Sequence, residues 1–170
     1  MYRDFEHIVK DLPRLRDECR SISEILLTNL VMIGEIPSPT FGEDQRIEFL
    51  QRRFAECHLQ NCSTDAVGNA LGIYPGSKGD RNILIVAHAD TVFPESEDHT
   101  VSLQSDHISG IGLADNSLGL AVLATLPTLI EKADIKLESN LILMGASRSL
   151  GRGDLEGLHF FLANNRVPIT

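Results

Sequence analysis

His88 and Asp90 form the most informative pair of potentially reactive side chains in the sequence. They directly follow the apolar run 83–87 and are two residues apart. Because side chains alternate across a strand, the two would project together from the C-terminal end of a buried strand, where α/β sheets place ligand sites. A carboxylate beside an imidazole commonly fixes the metal-binding tautomer of the histidine. Taken alone, such a pair is more often a polar contact that closes a strand than a ligand site.

Asp115 follows Asp90 by 25 residues and lies in the glycine-rich segment 110–119. Glycines allow the backbone to approach a ligand closely. Asp115 also stands where a helix should begin, a position at which a carboxylate ordinarily caps the helix. The segment therefore predicts either a helix cap or a turn that binds a ligand.

The loop from Gly145 to Gly151 joins an apolar strand to a helix and resembles the phosphate-binding loop of short-chain dehydrogenases. Ser149 replaces the middle glycine of that pattern, and only nineteen residues follow Gly151. A dinucleotide site needs further βα units beyond its loop. Nucleotide binding through this loop is therefore a second alternative.

Hydrophobic periodicity predicts the helices that precede these residues. Apolar residues recur at steps of three and four from Leu15 to Ile33, which predicts an amphipathic helix that ends at Gly34. A second helix follows, with one apolar face formed by Ile47, Leu50, Phe54 and Cys57.

The rest of the chain alternates predicted strands and helices. Strands are expected over residues 69–74, 82–87 and 140–144, and a hairpin joins 101–103 to 107–108. A third helix should start at Asp115 and run to about Lys132. Pro127 should kink this helix or end it early. The residues expected on its buried side are Leu118, Val122, Leu126 and Leu129. A last helix is expected over 155–164, and the alternation predicts an α/β fold with a central, largely parallel or mixed sheet flanked by helices.

Composition excludes several classes of protein. The 170 residues suffice for one domain with a real core, and 24 acidic against 15 basic residues give a net charge of −9. That charge argues against nucleic acid or an anionic membrane as the main partner. No uncharged apolar run approaches the ~18 residues that cross a bilayer, and no signal-peptide pattern begins the chain. Three cysteines at spacings that match no zinc or redox motif predict free thiols in a cytoplasmic protein.

Taken together, the polar segments resemble the M20 family of zinc peptidases, which are di-zinc exopeptidases and related amidohydrolases. The resembling stretches keep the family's order and spacing over about residues 30–165: 36–39 with Glu43, 65–69, 88–92, 110–119 and 153–157. Residues 113–117 look most like the tripeptidase branch. The resemblance implies a single partial catalytic domain over 1–170, without the family's lid domain. It would comprise a helical N-terminal segment, 1–40, and an α/β core, 41–170.

The resemblance also implies a role for each matching residue. His88 would bind one zinc, Asp90 would orient His88, and Asp115 would bridge two metals. In the family, a metal-held water that a glutamate deprotonates attacks a peptide or amide bond. The family's paired glutamates, the base and a zinc ligand, are matched here by Ser149 and Leu150.

Neither replacement can perform the lost role. Serine is not a base near neutral pH, leucine offers a metal no electron pair, and losing a general base alone costs ~10²–10⁴ in rate. The family's two remaining ligands would fall beyond Thr170. His88 and Asp115 alone give two ligands, fewer than the three of a catalytic zinc site. We therefore expect a metallopeptidase-like domain. This chain should bind zinc weakly or not at all, and it should have little hydrolytic activity.

The sequence leaves open whether this chain is an enzyme, and a noncatalytic binding module on the peptidase fold is the alternative. A peptide-like small substrate is expected if the chain is active. In the family, later polypeptide adds strands to the same sheet, so a chain that ends at residues 167–170 should leave a strand edge unpaired. We therefore expect a homo-oligomer or a partner chain.

Overall fold

The computed structural model describes residues 3–165 and 168–169. Its α-helices are α1 (Arg3–Ser21), α2 (Ser23–Gly34), α3 (Asp44–Glu56), α4 (Leu118–Lys132) and α5 (Glu156–Asn164). Its strands are β1 (Gln60–Thr64), β2 (Ala70–Tyr74), β3 (Asn82–His88), β4 (Ser102–Leu103), β5 (Ile108–Ser109) and β6 (Asn140–Ala146). This is an α/β fold, as the alternation of elements predicts.

The main sheet is mixed and has the strand order β1-β2-β6-β3. β1 pairs with β2 and β2 with β6 in antiparallel fashion, whereas β3 and β6 are parallel. The parallel register places His88 opposite Ala146, so β3 and β6 end at the same edge of the sheet. The loops after these two strands therefore meet, and this edge carries the polar residues singled out above.

Helices cover the two faces of the sheet unequally. One face belongs to a large core that includes Leu50 and Phe54 of α3, Leu120 of α4, and Leu143 of β6. The other face is a smaller cluster of Ile142, Met144, Ala146 and Phe161, with Leu71, Ile73, Leu84 and Ile169 packed around it. The helices thus flank the sheet, with most of the apolar burial on the α3–α4 side.

Most predicted elements are present, but the N-terminal stripe is not one helix. The chain turns at Ile22, whose φ of −103° and ψ of 3° separate α1 from α2. α2 ends at Gly34 as expected, and the hairpin β4–β5 and helix α3 also match. Strand β1 has no counterpart among the expectations, because its polar sequence at the sheet edge lacks an apolar alternation.

Helix α4 differs from expectation in its start, its buried side and its course. It begins at Leu118 rather than at Asp115, and it continues past Pro127 to Lys132. The expected buried side is wrong, because Leu118 and Val122 are 42% and 43% exposed. The buried residues are Leu120, Ala121, Leu123, Ala124, Thr125, Pro127 and Ile130. Because α4 is apolar on every side, periodicity could not select its face; the small Ala121 and Ala124 allow close packing against the core.

β3 lies at one edge of the main sheet and has β6 as its neighbour. Ile83 and Val86 of this strand are exposed, so the expectation of a buried strand before His88 is wrong for β3. The expectation that the chain associates through an open strand edge stays a prediction. Val167 and Thr170, to which that expectation also referred, lie outside the described residues.

By length and composition, the stretch Leu113–Lys132 would be able to span a membrane. Half of it is buried inside the fold. Its first turn is not helical at Asp115 and Asn116. Burial inside the fold is typical of a core helix in a globular domain.

Helix α5 is fixed to the end of β6 through a close approach at Gly157. The carbonyl of Gly157 accepts a hydrogen bond from Asn69 Nδ2 at 2.9 Å. A Cβ at Gly157 would lie 2.3 Å from both Asn69 Oδ1 and the Ser147 carbonyl oxygen. Only glycine therefore allows α5 to sit against these two residues.

Gly157→Ala should lower the free energy of unfolding by about 1–3 kcal/mol, the usual cost of overpacking. Urea denaturation monitored by circular dichroism measures the change. Ala163→Gly, at an exposed site of the same helix, should cost no more than about 1 kcal/mol. A Gly157→Ala protein at least as stable as the wild type would show that α5 does not dock this closely.

Candidate functional site

The site lies where β3 ends and the loop that follows β6 passes beside it. Ala89 continues the ladder past β3, since its amide donates to the carbonyl of Ala146 at 2.7 Å. The segment before α3 crosses the same edge: Ser38 Oγ donates to the Ala89 carbonyl at 2.9 Å, and the Thr91 amide donates to the Ser38 carbonyl at 2.7 Å. The backbone on both sides of Asp90 is therefore fixed.

His88 lies between two carboxylates. Its Nδ1 atom lies 3.0 Å from the backbone carbonyl oxygen of Asp90 and 3.3 Å from Asp90 Oδ1. Its Nε2 atom lies 2.9 Å from Asp115 Oδ1. The side chain of Asp115 is mostly exposed, whereas that of Asp90 is fully buried. The structure thus brings together the three residues that the sequence singled out, with Asp90 behind the ring and Asp115 in front.

The buried Asp90 carboxylate accepts three hydrogen bonds from two different segments. Its Oδ2 atom accepts hydrogen bonds from Thr40 Oγ1 at 2.9 Å, the Ser149 amide at 3.0 Å and the Leu150 amide at 2.7 Å. Charge-assisted bonds of this kind are the strong ones in proteins. Asp90 therefore fixes the loop after β6 and the segment before α3 to the end of β3.

These contacts shift the pKa values of both residues. Burial raises the pKa of Asp90, but His88, the Leu150 amide and Thr40 together outweigh burial, so that the pKa lies below its usual value. The contact with Asp90 raises the pKa of His88; burial opposes this rise, and Asp115 adds to it. The pair is therefore biased toward an ionised Asp90.

Each backbone amide of residues 147–150 donates to a side chain from elsewhere in the chain. The Ser147 amide donates to Asn69 Oδ1 at 2.9 Å, and the Arg148 amide donates to Glu43 Oε1 at 2.7 Å. The next two amides bind Asp90, as described above. The side-chain oxygens of Asn69, Glu43 and Asp90 therefore hold the backbone of this loop in place. Ser149 takes part through its backbone amide, which binds Asp90.

Asn69 is itself held by Asp65. The Asp65 carboxylate accepts bonds from the Val67 amide at 3.1 Å and from the Asn69 amide at 3.0 Å, and its Oδ2 accepts one from Asn69 Nδ2 at 2.6 Å. This turn connects β1 to β2 and presents Asn69 to the loop after β6. Residues 65–69 thus position the site without touching His88.

Asp115 does not cap a helix. It lies in a distorted turn, Leu113–Ser117, with φ −134° and ψ 90°, and α4 starts only at Leu118. Gly112 precedes the turn with φ 64°, a conformation that glycine adopts without strain. The turn directs the Asp115 carboxylate toward His88 rather than toward the first amides of α4.

The donor set suits one divalent ion poorly and two ions not at all. The His88 Nε2 atom and the Asp115 carboxylate are donors that zinc accepts. Among residues 3–165 and 168–169, no group of three or more His, Cys, Asp or Glu side chains is arranged to hold a metal. Ser149 and Leu150 add no carboxylate. The described residues therefore do not fit a complete catalytic zinc site.

The same loop offers little to a nucleotide. Phosphate-binding loops use free backbone amides, but the amides of residues 147–150 are occupied. A phosphate would also face the Asp90 and Glu43 carboxylates. The geometry thus favours a role for this loop in fixing the site.

Four residues without a predicted role make contacts at this site: Thr40, Glu43, Asn69 and Arg148. Glu43 and Asn69 lay within the stretches that carry the family resemblance, which was the available signal. Arg148 pairs with Glu156 at 2.9 Å and lies 5.8 Å above the ring of Phe41. Contacts between such distant positions have no local sequence pattern.

Solved structures with a similar fold include M20 peptidases and other peptidases. The dipeptidase Dug1p from Saccharomyces cerevisiae superimposes with a TM-score of 0.70 at 12% identity, over 89% of this chain and 38% of that one. Aminopeptidase PepT from Bacillus cereus gives 0.61 at 20% identity, over 73% and 36%. The YxeP protein of Bacillus subtilis, described as a dinuclear metal-binding peptidase of the M20 family, gives 0.58 at 12%, over 83% and 41%.

These similarities establish the fold, which is that of M20 peptidase catalytic domains. This chain spans well under half the length of each of the three proteins. No protein-family profile matches the chain, and no curated protein matches it by sequence. The predicted roles of His88, Asp90, Asp115 and Ser149 therefore stay predictions.

Asp90→Asn should lower the free energy of unfolding by about 2–4 kcal/mol. The substitution keeps the shape but replaces one carboxylate oxygen by a donor that faces other donors, in a fully buried position. Urea denaturation measures the loss. The matched control is Asp154→Asn, an exposed aspartate in the same loop region, which should change the value by less than about 0.5 kcal/mol. Equal stabilities for the two variants would contradict the role given to Asp90.

Proposed function

We propose that this chain is a metallopeptidase-like domain related to the zinc-dependent hydrolases of peptide and amide bonds, and that it has little or no hydrolytic activity by itself. One observation carries the proposal: His88, oriented by Asp90, meets Asp115 at 2.9 Å, while the neighbouring loop presents Ser149 and Leu150 instead of carboxylates. The chain keeps a place for an ion but lacks a base beside it.

Zinc, if bound, would be held by His88 and Asp115. In related enzymes the metal polarises the scissile carbonyl and lowers the pKa of its bound water. Here Asp90 would hold the His88 ring in orientation, and Asp115 would supply the second donor. With two protein ligands, at least half of a tetrahedral zinc shell would be water.

The distal ligands of a complete site would have to come from other polypeptide. A substrate for such a completed site would be a small peptide-like molecule, and residues 113–117 support a relation to the tripeptidase branch. A cytoplasmic location fits the three free thiols. A noncatalytic binding module on the peptidase fold is the second candidate function, and the preserved Asp90 network favours it, because that network maintains the shape of the site without completing its chemistry.

Zinc should bind weakly, with a dissociation constant far above the nanomolar range of complete sites, because two side chains chelate poorly. Isothermal titration at neutral pH measures the affinity and the stoichiometry. His88→Ala should remove the binding, while His159→Ala, in α5 away from the site, should preserve it. Two tightly bound zinc ions per chain would contradict the ligand count.

Hydrolysis of di- and tripeptides with added zinc or cobalt should be indistinguishable from buffer. Introducing Ser149→Glu together with Leu150→Glu should not create an enzyme, because two carboxylates do not replace the distal ligands. A ninhydrin assay of released amino acids over a day provides the measurement. Turnover by the unmodified chain that Asp115→Ala abolishes would contradict this proposal.

A further inference from the structure

Helix α1 exposes an apolar stripe that the rest of the fold does not cover. Leu12 of this stripe is 53% exposed, Cys19 is exposed and Leu15 is half-buried, while Val9 beside the stripe is 62% exposed. The helix is linked to the domain by a hydrogen bond that Arg14 Nη1 donates to the Ala133 carbonyl at 2.6 Å. A helix of 19 residues with an apolar stripe in water is stabilised by a partner that covers this stripe.

The spacing of the stripe is that of a coiled coil. Apolar residues occur at positions 5, 8, 12, 15, 19, 22 and 26, in steps that alternate strictly between three and four. This is the a and d pattern of a heptad repeat. From Ile22 onward the stripe enters the domain's own core. Before that point, the a-position side chains of Leu12 and Cys19 remain exposed.

The charges that flank the stripe select the partner and its direction. With Leu12 and Cys19 at a positions and Leu15 at d, Asp11 and Glu18 occupy g positions and Arg16 an e position. In a parallel pair of identical helices, g of one helix faces the following e of the other, so Asp11 meets Arg16 twice. An antiparallel pair would place the acidic g positions of both helices together.

We propose that α1 is a self-association surface that pairs in parallel with α1 of a second copy of this chain. Pro13 occupies a b position, outside the contact. The pairs that Asp11 and Arg16 make within their own helix are exposed contacts of 3.3 Å with Arg14 and Asp17. Such surface pairs contribute little, so exchanging them for pairs between helices costs little. This surface is independent of the proposed metal site and of its chemistry.

Light scattering coupled to size exclusion tests the surface on the full chain. At about 100 µM the wild type should have twice the mass of the 18.7 kDa chain. Leu12→Glu should give the monomer mass, because it places a charge at the centre of the stripe. Ser21→Glu makes the same change of charge outside the stripe and should remain dimeric. Circular dichroism should show that both variants remain folded, because neither residue belongs to the core.

Charge reversal and cross-linking test the direction. Arg16→Glu should weaken the dimer roughly tenfold, and adding Asp11→Arg should restore it. In chains carrying Cys57→Ser and Cys62→Ser, copper-phenanthroline oxidation in air should join the two Cys19 thiols, since equivalent a positions of a parallel pair are adjacent. Cysteine placed instead at position 21, as Ser21→Cys with Cys19→Ser, should cross-link much more slowly.

Three results would overturn the proposal. One is a monomeric wild type at 100 µM. Another is a Leu12→Glu variant that stays dimeric. If adding Val86→Lys to that variant made it monomeric, the association would lie at the β3 edge. The third is a monomer whose α1 instead binds vesicles of phosphatidylcholine and phosphatidylserine, a property that Leu12→Glu removes; this would assign the stripe to a lipid surface.

Discussion

A single buried carboxylate, that of Asp90, organises the site end of this molecule. A charge without access to water is costly unless hydrogen bonds compensate it. Asp90 meets that requirement with donors from Thr40, Ser149 and Leu150. Those donors lie on two separate segments, so satisfying one side chain fixes the loop after β6, the segment before α3 and the orientation of His88 at the same time.

The loop after β6 repeats this principle at each successive amide. Its four amides at residues 147–150 bind Asn69, Glu43 and, twice, Asp90. Buried amides need such partners, and here none is left for a ligand. A polar network centred on Asp90 therefore maintains the shape of this edge of the sheet. Ser149 and Leu150 enter the network through their backbone amides rather than through their side chains.

The sequence was most informative where one local rule decided the outcome. Alternation and apolar runs located β3 and β6, and the step from His88 to Asp90 placed the pair together. Prediction from the sequence failed where a helix has more than one apolar face or where a contact joins distant positions. Helix α4 is apolar on every side, so Leu118 and Val122 were assigned wrongly to its buried side. Polar β1 has no alternating signal. The contact of Arg148 with Glu43 joins positions that no spacing rule connects.

The proposed function requires that, among the described residues, only His88 and Asp115 hold a metal at this site. Zinc K-edge X-ray absorption of the zinc-loaded chain tests it directly, because the fine structure reports the atoms around the metal. We predict one imidazole nitrogen, one carboxylate and otherwise water oxygens at about 2.0–2.2 Å. Three or more protein ligands, or a second zinc at roughly 3.5–4 Å, would contradict the claim.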